Sequence, residues 1–221
     1  MTREEKALIF DVQRFCVHDG PGIRSTVFFK GCNMRCAWCH NPESFSQRPE
    51  LLFRPEKCTA CGACEACPSG AHRRENGSHS FHRENCSGCG VCASLCPNGA
   101  LELSGREMTV EEVMKELRKD DKYYAASGGG VTLSGGEASI WFNFVRELLD
   151  ACKSQGFHTA LETNGLISAE RLEALIPRTD LFLFDCKHTD PEAHLHWTGA
   201  PLQPVLDSLQ ALDRAGAKVI L

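Results

Sequence analysis

Residues 24–39 read RSTVFFKGCNMRCAWC, and this run joins a strand pattern directly to a group of cysteines. Residues 24–30 are rich in β-branched and aromatic side chains, which predicts a strand. Gly31 then opens a loop that carries Cys32, Cys36 and Cys39 in the spacing Cys-x3-Cys-x2-Cys. Three thiolates on one short loop are typical of a 4Fe-4S cluster with one iron left open to bind a further molecule.

The rest of the main domain alternates between strand and helix patterns. Strands are predicted at 131–133, 158–162, 181–186 and 217–221, and helices at 140–154, 168–175 and 203–214. Repeated β–α units form parallel sheets, which place ligands at the carboxyl ends of their strands. We therefore predict an α/β fold, a partial parallel (β/α) TIM-like barrel with one site at that end. Because the chain stops inside an apolar strand, truncation at the carboxyl terminus is also predicted.

Residues 50–105 differ from their surroundings in being rich in Cys, Gly, Pro, Ser and Asn. They predict a small inserted module, with 1–49 and 106–221 forming the main domain. Two cysteine groups lie in it, the first at Cys58, Cys61, Cys64 and Cys67, the second at Cys86, Cys89, Cys92 and Cys96. The second group, followed by Pro97, matches the bacterial ferredoxin run, and the first is a near repeat that is one residue shorter.

This repeat predicts a ferredoxin-like α+β insert that binds two 4Fe-4S clusters. In the ferredoxin run the fourth cysteine binds the other cluster. On that template one cluster is held by Cys58, Cys61, Cys64 and Cys96, and the other by Cys86, Cys89, Cys92 and Cys67. Two zinc ribbons are the alternative interpretation.

Composition narrows the class of protein. Lys and Arg total 24 against 29 Asp and Glu, a net charge of -5 that gives no general reason to bind nucleic acid or an anionic membrane. No apolar run approaches the ~20 residues of a membrane span, and no signal peptide is recognised, so a cytoplasmic location is predicted. The fourteen cysteines are then better explained as metal ligands than as disulfides. The isolated Cys16, Cys152 and Cys186 are predicted to be small buried residues.

Four motifs in order resemble the radical SAM superfamily, and within it the glycyl radical enzyme activating enzymes. They are DGPGIR at 19–24, the cysteine loop continued by HNPE at 40–43, SGGGVTLSGGE at 127–137 and DCK at 185–187. A structural zinc loop closed by His40 is the alternative interpretation of the cysteine loop.

The resemblance implies a reaction and its cofactors. The amino and carboxylate groups of S-adenosylmethionine would bind the open iron of the cluster on Cys32, Cys36 and Cys39, and one electron would cleave a carbon–sulfur bond to give methionine and a 5'-deoxyadenosyl radical. It further implies three 4Fe-4S clusters in all, one catalytic and two auxiliary. The partner would be a glycyl radical enzyme whose glycine Cα loses a hydrogen, and reduced flavodoxin or ferredoxin would supply the electron.

The resemblance also implies contacts with S-adenosylmethionine. They fall on Trp38, Cys39, His40, Gly135, Gly136, Glu137, Asp185, Cys186 and Lys187. Trp38, Cys39 and His40 are expected at the adenosyl end, and residues 185–187 at the methionyl end. A carboxylate of Glu137 or Asp185 would meet the ligand's ammonium or a cation, and Lys187 its carboxylate. A plain strand-end ion pair between Asp185 and Lys187 is the alternative.

Two further assignments follow from the resemblance. Residues 162–165, ETNG, stand where the family often has Asp-Thr-Asn-Gly, a segment associated with a monovalent cation. Because Glu162 replaces the aspartate, the binding of a cation by this chain stays open. Asp19 and Arg24 are expected near the incoming glycine loop, where they would bind its backbone; a turn with an ion pair is the alternative.

Two other functions remain open on the sequence. The chain could be a different radical SAM enzyme that modifies a peptide or a small molecule, or a non-enzymatic electron carrier of the ferredoxin type. The sequence does not identify which glycyl radical enzyme is the partner.

Overall fold

The computed structural model describes residues 5–221, which fall into two compact units. One unit comprises the described residues up to Gln47 together with Glu107–Leu221, and the other is Arg48–Arg106. The strands are β1 (Lys6–Cys16), β2 (Arg24–Phe29), β3 (Glu50–Phe53), β4 (His72–Glu75), β5 (Ser78–Phe81), β6 (Leu101–Ser104), β7 (Arg106–Thr109), β8 (Gly130–Gly135), β9 (His158–Thr163), β10 (Leu181–Phe184) and β11 (Val219–Ile220). The α-helices are α1 (Val91–Leu95), α2 (Val110–Leu117), α3 (Asp121–Ser127), α4 (Phe142–Ser154), α5 (Ala169–Leu175), α6 (Pro191–Thr198) and α7 (Gln203–Arg214).

A seven-stranded sheet organises the first unit, in the order β11-β10-β9-β8-β2-β1-β7. The neighbours from β2 through β8, β9 and β10 to β11 are parallel, whereas β1 runs antiparallel to β2. A mixed α/β fold is thus confirmed. The parallel strands end together, since Phe29 of β2 pairs with Gly135 of β8.

The two faces of this sheet differ because side chains alternate along each strand. Val27, Leu133 and Leu161 lie in register across three strands and belong to the apolar core, where α4 packs with Leu148 and Leu149. The opposite face carries polar side chains, among them Thr26 paired with Thr132. The apolar face therefore holds the fold together, and the polar face is available for a site.

Helix α2 begins directly after a residue whose side chain caps it. Thr109 Oγ1 accepts a hydrogen bond from Glu112 N at 3.2 Å, and the Glu112 carboxylate accepts one from Thr109 N at 2.8 Å, which is a capping box. Cys152 is fully buried, as predicted. Cys16 and Cys186 are only partly buried, contrary to prediction, because both lie at strand ends rather than within the core.

The second unit contains two small antiparallel sheets, β3 with β6 and β4 with β5. Its core consists of Leu51, Cys92 and Leu101, with Phe53 and Phe81 packed against them. In residues 5–221 no helix is long and apolar enough to span a bilayer.

Candidate functional site

The cysteine loop begins directly after β2 and is fixed by backbone hydrogen bonds at both ends. Gly31 N donates to Ser44 O at 2.6 Å, and Cys32 N donates to Phe45 O at 3.3 Å. Farther along the loop, Arg35 N donates to Thr198 O at 2.7 Å, so the end of α6 supports it. The loop is therefore held by the chain segment that directly follows its cysteines and by a helix much later in the chain.

A cavity of about 210 Å³ opens beside this loop, at the carboxyl ends of the parallel strands. It brings together most of the residues that the sequence assigned to S-adenosylmethionine. Its lining comprises Cys32, Met34, Cys36, Trp38, Cys39, His40, Asn41, Ser44, Phe45, Ser134, Gly135, Gly136, Glu162, Thr163, Asn164, Asp185 and Lys187. Glu137 and Cys186 are not part of this lining.

The three thiols of the loop are free and partly buried. Burial raises the pKa of Cys32, and it raises the pKa of Cys36 in spite of the positive charge of Lys187. Iron binding requires thiolates, so loading this site would release protons.

Gly136 is required by the close approach of two backbone segments. Its N–H donates to Phe29 O at 2.8 Å, and the next N–H, that of Glu137, donates to Gly31 O at 2.8 Å. A Cβ at Gly136 would lie 2.3 Å from Gly31 O. The glycine thus allows the turn after β8 to lie against the start of the cysteine loop.

Glu137 differs from its expected role because its carboxylate is turned away from the cavity. It is 1% exposed and accepts hydrogen bonds from Thr163 Oγ1 at 3.0 Å and from Asn164 N at 2.9 Å. Burial raises the pKa of this carboxyl. Glu137 therefore joins the ends of β8 and β9 and has no free oxygen facing a ligand's ammonium.

Asn164 is a site residue that the sequence analysis did not assign. Its Nδ2 donates to Asn33 Oδ1 at 2.9 Å and lies 3.8 Å from Cys32 Sγ, and its Oδ1 accepts from Leu166 N at 2.9 Å. It was present in the ETNG motif, but only the folded chain places it next to a cysteine more than a hundred residues earlier. Asn164 holds the cysteine loop against the end of β9.

Asp185 and Lys187 lie on the cavity and contact each other. Lys187 Nζ is 2.5 Å from Asp185 Oδ2. Burial acts to lower the pKa of Lys187, but the Asp185 carboxylate outweighs it and the pKa is raised. The ion pair that the sequence offered as an alternative is therefore formed. The side chain of Lys187 is 24% exposed and that of Asp185 is 45% exposed.

Glu162 occupies the same cavity wall. Its carboxylate accepts a hydrogen bond from the Ser134 hydroxyl, across the β8–β9 pair. Burial raises the pKa of Glu162, and the negative charges of Asp185 and Asp19 add to the effect.

Arg24 lies at the opposite end of its strand from the site. It pairs with Gly130 at the start of β8, and Phe29 at the other end of β2 is five residues on, or about 16 Å at the ~3.3 Å rise of a strand. Its buried guanidinium donates to Thr132 Oγ1 at 2.6 Å and to Val131 O at 2.7 Å. The expectation that Arg24 binds a partner loop is wrong, because its side chain is enclosed and supports the sheet.

Asp19 is partly exposed and faces the polar side of the sheet. Its Oδ2 accepts a hydrogen bond from Thr26 Oγ1 at 2.6 Å, and its carbonyl accepts one from Thr132 Oγ1 at 2.7 Å.

In the second unit, the cysteines of the two sequence groups are interleaved. One cavity is lined by Cys58, Cys61, Cys64 and Cys96, so the last cysteine of the second group joins three of the first. Cys92 is near Cys67 and Cys86, and burial, together with these neighbours, raises its pKa to about 11.

Two protein-family profiles match this chain. A family profile described as the Radical SAM superfamily matches residues 83–221, and a profile described as a 4Fe-4S dicluster domain matches residues 50–97. The chain belongs to the radical SAM superfamily. The chemistry of that superfamily requires S-adenosylmethionine and an iron–sulfur cluster, as predicted.

Similar curated proteins indicate the branch of the superfamily to which the chain belongs. It is 40% identical to the (2S)-3-sulfopropanediol dehydratase activating enzyme of Klebsiella oxytoca, covering 100% of this chain and 72% of that one. It is 41% identical to the trans-4-hydroxy-L-proline dehydratase activating enzyme of Clostridioides difficile, covering 96% and 71%. It is also 41% identical to the benzylsuccinate synthase activating enzyme of Thauera aromatica, covering 96% and 66%.

These relatives confirm the predicted branch, the glycyl radical enzyme activating enzymes, and the predicted activity. The protein is an oxidoreductase that cleaves S-adenosylmethionine reductively and takes a hydrogen from a glycine Cα of a partner glycyl radical enzyme.

Proposed function

We propose that the reaction takes place in the cavity beside the cysteine loop, with Cys32, Cys36 and Cys39 as the three ligands of a 4Fe-4S cluster. The convergence of three free thiols with the Asp185–Lys187 pair on one cavity supports this most directly. When bound and reduced, such a cluster supplies the electron that cleaves S-adenosylmethionine. The residues of the cavity would bind and orient the parts of the ligand that lie beyond the cluster.

The cavity residues have distinct tasks in this proposal. Lys187 binds the carboxylate of the methionyl group, and Asp185, which keeps Lys187 charged, faces the ammonium. Trp38 and His40 form the adenosyl end, where the exposed indole offers a flat face. Glu162 is the one carboxylate of the ETNG segment on the cavity wall, so a monovalent cation would bind there.

Three positioning groups keep this arrangement rigid. Glu137 joins β8 to β9, Asn164 joins β9 to the cysteine loop, and Gly136 lets that loop lie against β8. Holding the reacting groups in a fixed geometry is a principal source of rate enhancement. The parallel strands would belong to a partial barrel whose mouth admits the partner's glycine loop near Asp19.

The second unit is proposed to be a ferredoxin-like insert with two auxiliary 4Fe-4S clusters. Cys58, Cys61, Cys64 and Cys96 line one cavity, which supports the exchange of ligands between the two groups. The clusters would pass electrons from reduced flavodoxin or ferredoxin, in the cytoplasm, to the catalytic cluster.

The assignment of the catalytic cluster is tested by replacing Cys32, Cys36 and Cys39 together by Ala. The purified and reconstituted variant should lack the iron and sulfide of one cluster and keep those of the auxiliary clusters. When reduced, it should no longer cleave S-adenosylmethionine. A Cys89→Ala variant is the matched comparison, since it should lose auxiliary iron while it still binds S-adenosylmethionine. Cleavage by the triple variant would show that the active cluster lies elsewhere.

A further inference from the structure

Two histidines lie beside the first auxiliary cysteine cavity, and the proposed reaction uses neither of them. Nδ1 of His72 on β4 is 2.9 Å from Nε2 of His79 on β5. The second nitrogen of His79, Nδ1, is 3.7 Å from Cys58 Sγ. Nitrogen atoms of both rings also lie within 4.8 Å of Cys64 Sγ. His79 therefore contacts thiols that are proposed to hold one cluster.

Aromatic packing fixes the orientation of both rings. His79 meets Phe53 edge-on, with ring centroids 4.8 Å apart at 88°. His72 is 5% exposed and stacks on Phe81, with centroids 5.1 Å apart at 20°. The nitrogen of His79 that faces Cys58 is therefore set by the packing.

The hydrogen-bond partners determine where the protons of the two neutral rings lie. A cluster thiolate only accepts hydrogen bonds, so His79 Nδ1 must carry the hydrogen that faces Cys58. His79 Nε2 then accepts from His72 Nδ1, and His72 Nε2 carries no hydrogen. This last nitrogen is buried and has no hydrogen-bond partner. That nitrogen is unpaired in either arrangement, but the opposite arrangement would turn a lone pair of His79 Nδ1 towards the thiolate, where the two would repel each other.

We propose that His79, oriented by His72, donates a hydrogen bond to the Cys58 thiolate and thereby raises the reduction potential of the auxiliary cluster held by Cys58, Cys61, Cys64 and Cys96. The inference rests on the proposed function, because it assumes that a cluster occupies this cavity. Reduction adds negative charge, which spreads onto the thiolates, and a donor at a thiolate stabilises the reduced form more than the oxidised form. His79 would thus adjust how readily this cluster accepts an electron.

The test is a redox titration followed by electron paramagnetic resonance on the full, anaerobically reconstituted protein. His79→Phe keeps an aromatic ring against Phe53 but has no N–H, so the midpoint potential of one auxiliary cluster should fall while that of the other stays constant. His79→Gln, which retains an N–H donor, should restore part of the potential. His82→Phe is the matched control, since the ring of His82 contacts Ser80 and Glu84 rather than a cysteine.

Each outcome separates the inference from the function on which it rests. If the wild-type protein binds no auxiliary cluster by iron and sulfide analysis, the proposed function of the second unit fails. If both auxiliary clusters are present and His79→Phe leaves both midpoints unchanged, the inference alone is overturned. Loss of one cluster from His79→Phe, or loss of a bound zinc ion, would also overturn it, because His79 would then be a ligand or a structural residue.

Discussion

The carboxylate of Glu137 accepts a hydrogen bond from the backbone N–H of Asn164 at 2.9 Å, and this bond joins the turn after β8 to the turn after β9. Thr163 Oγ1 donates to the same carboxylate at 3.0 Å. Neither Glu137 nor Asn164 is more than 5% exposed. The two motifs around the cavity, residues 134–137 and 162–165, are therefore parts of one hydrogen-bonded unit.

Replacing Glu137 by Ala should destabilise the protein and weaken S-adenosylmethionine binding together. The change leaves buried donors on Ser139, Thr163 and Asn164 without an acceptor, so we expect a loss of at least ~2 kcal/mol in the free energy of unfolding. Urea denaturation and anaerobic calorimetry measure the two effects. Glu147→Ala, at an exposed position of α4, should change stability by less than ~0.5 kcal/mol. Equal effects of the two variants would show that the buried carboxylate has no special role.

Asn164→Asp tests the link between β9 and the cysteine loop. Aspartate keeps the oxygen that accepts from Leu166 N, but it cannot donate to Asn33 or Cys32 and brings a negative charge near the thiol. We expect about tenfold weaker S-adenosylmethionine binding, the equivalent of one ordinary hydrogen bond. Asn143→Asp, at an exposed position of α4, is the control. Unchanged affinity in Asn164→Asp would remove Asn164 from the site.

Gly136→Ala should be costly because of the neighbouring backbone. The added Cβ would meet Gly31 O at 2.3 Å, and we expect a loss of roughly 3 kcal/mol in unfolding free energy, or a displaced cysteine loop. Gly156→Ala is a useful comparison: Gly156 has a φ of +75° but open space around it, so only the ~1 kcal/mol cost of the left-handed backbone applies. Thermal unfolding of both variants measures the two losses of stability. A smaller loss for Gly136→Ala than for Gly156→Ala would contradict the close approach of the two backbone segments at Gly136.

A cation at Glu162 should show a definite pH dependence. Burial raises the pKa of Glu162, so this carboxylate takes up a proton at a higher pH than an ordinary glutamate and loses its attraction for a cation sooner as the pH falls. Potassium should therefore strengthen S-adenosylmethionine binding more at alkaline pH than at acidic pH. In Glu162→Gln both the potassium effect and its pH dependence should disappear. A potassium effect that persists in this variant would place the cation elsewhere.

The sequence predicted the parts of the structure that local patterns control. The β-branched run at 24–30 formed β2, and the patterns at 158–162 and 140–154 formed β9 and α4. Strand β1 was not predicted, because it alternates poorly between buried and exposed residues, has irregular register with β2 and includes Phe15 at a φ of 60°. A periodic pattern cannot reveal such a strand.

The site was predictable where a motif contributes its own side chains to the cavity, as Trp38 and Lys187 do. It was not predictable where partners lie far apart in the chain. The donors to Glu137 include residues 26 and 27 positions later, and Arg24 is buried against β8, more than a hundred residues on. Their roles follow from the packing of the sheet, which the sequence motifs do not encode locally.

Transfer of a hydrogen from the glycine Cα of the partner to the 5'-deoxyadenosyl radical can be followed with an isotope label. The partner glycyl radical enzyme is labelled with deuterium only at glycine Cα and mixed with the reduced protein and S-adenosylmethionine. We expect one deuterium in the 5'-deoxyadenosine product, by mass spectrometry, and a glycyl radical signal in electron paramagnetic resonance. Unlabelled 5'-deoxyadenosine, with the deuterium retained in the partner and a small molecule or another residue modified instead, would contradict this expectation.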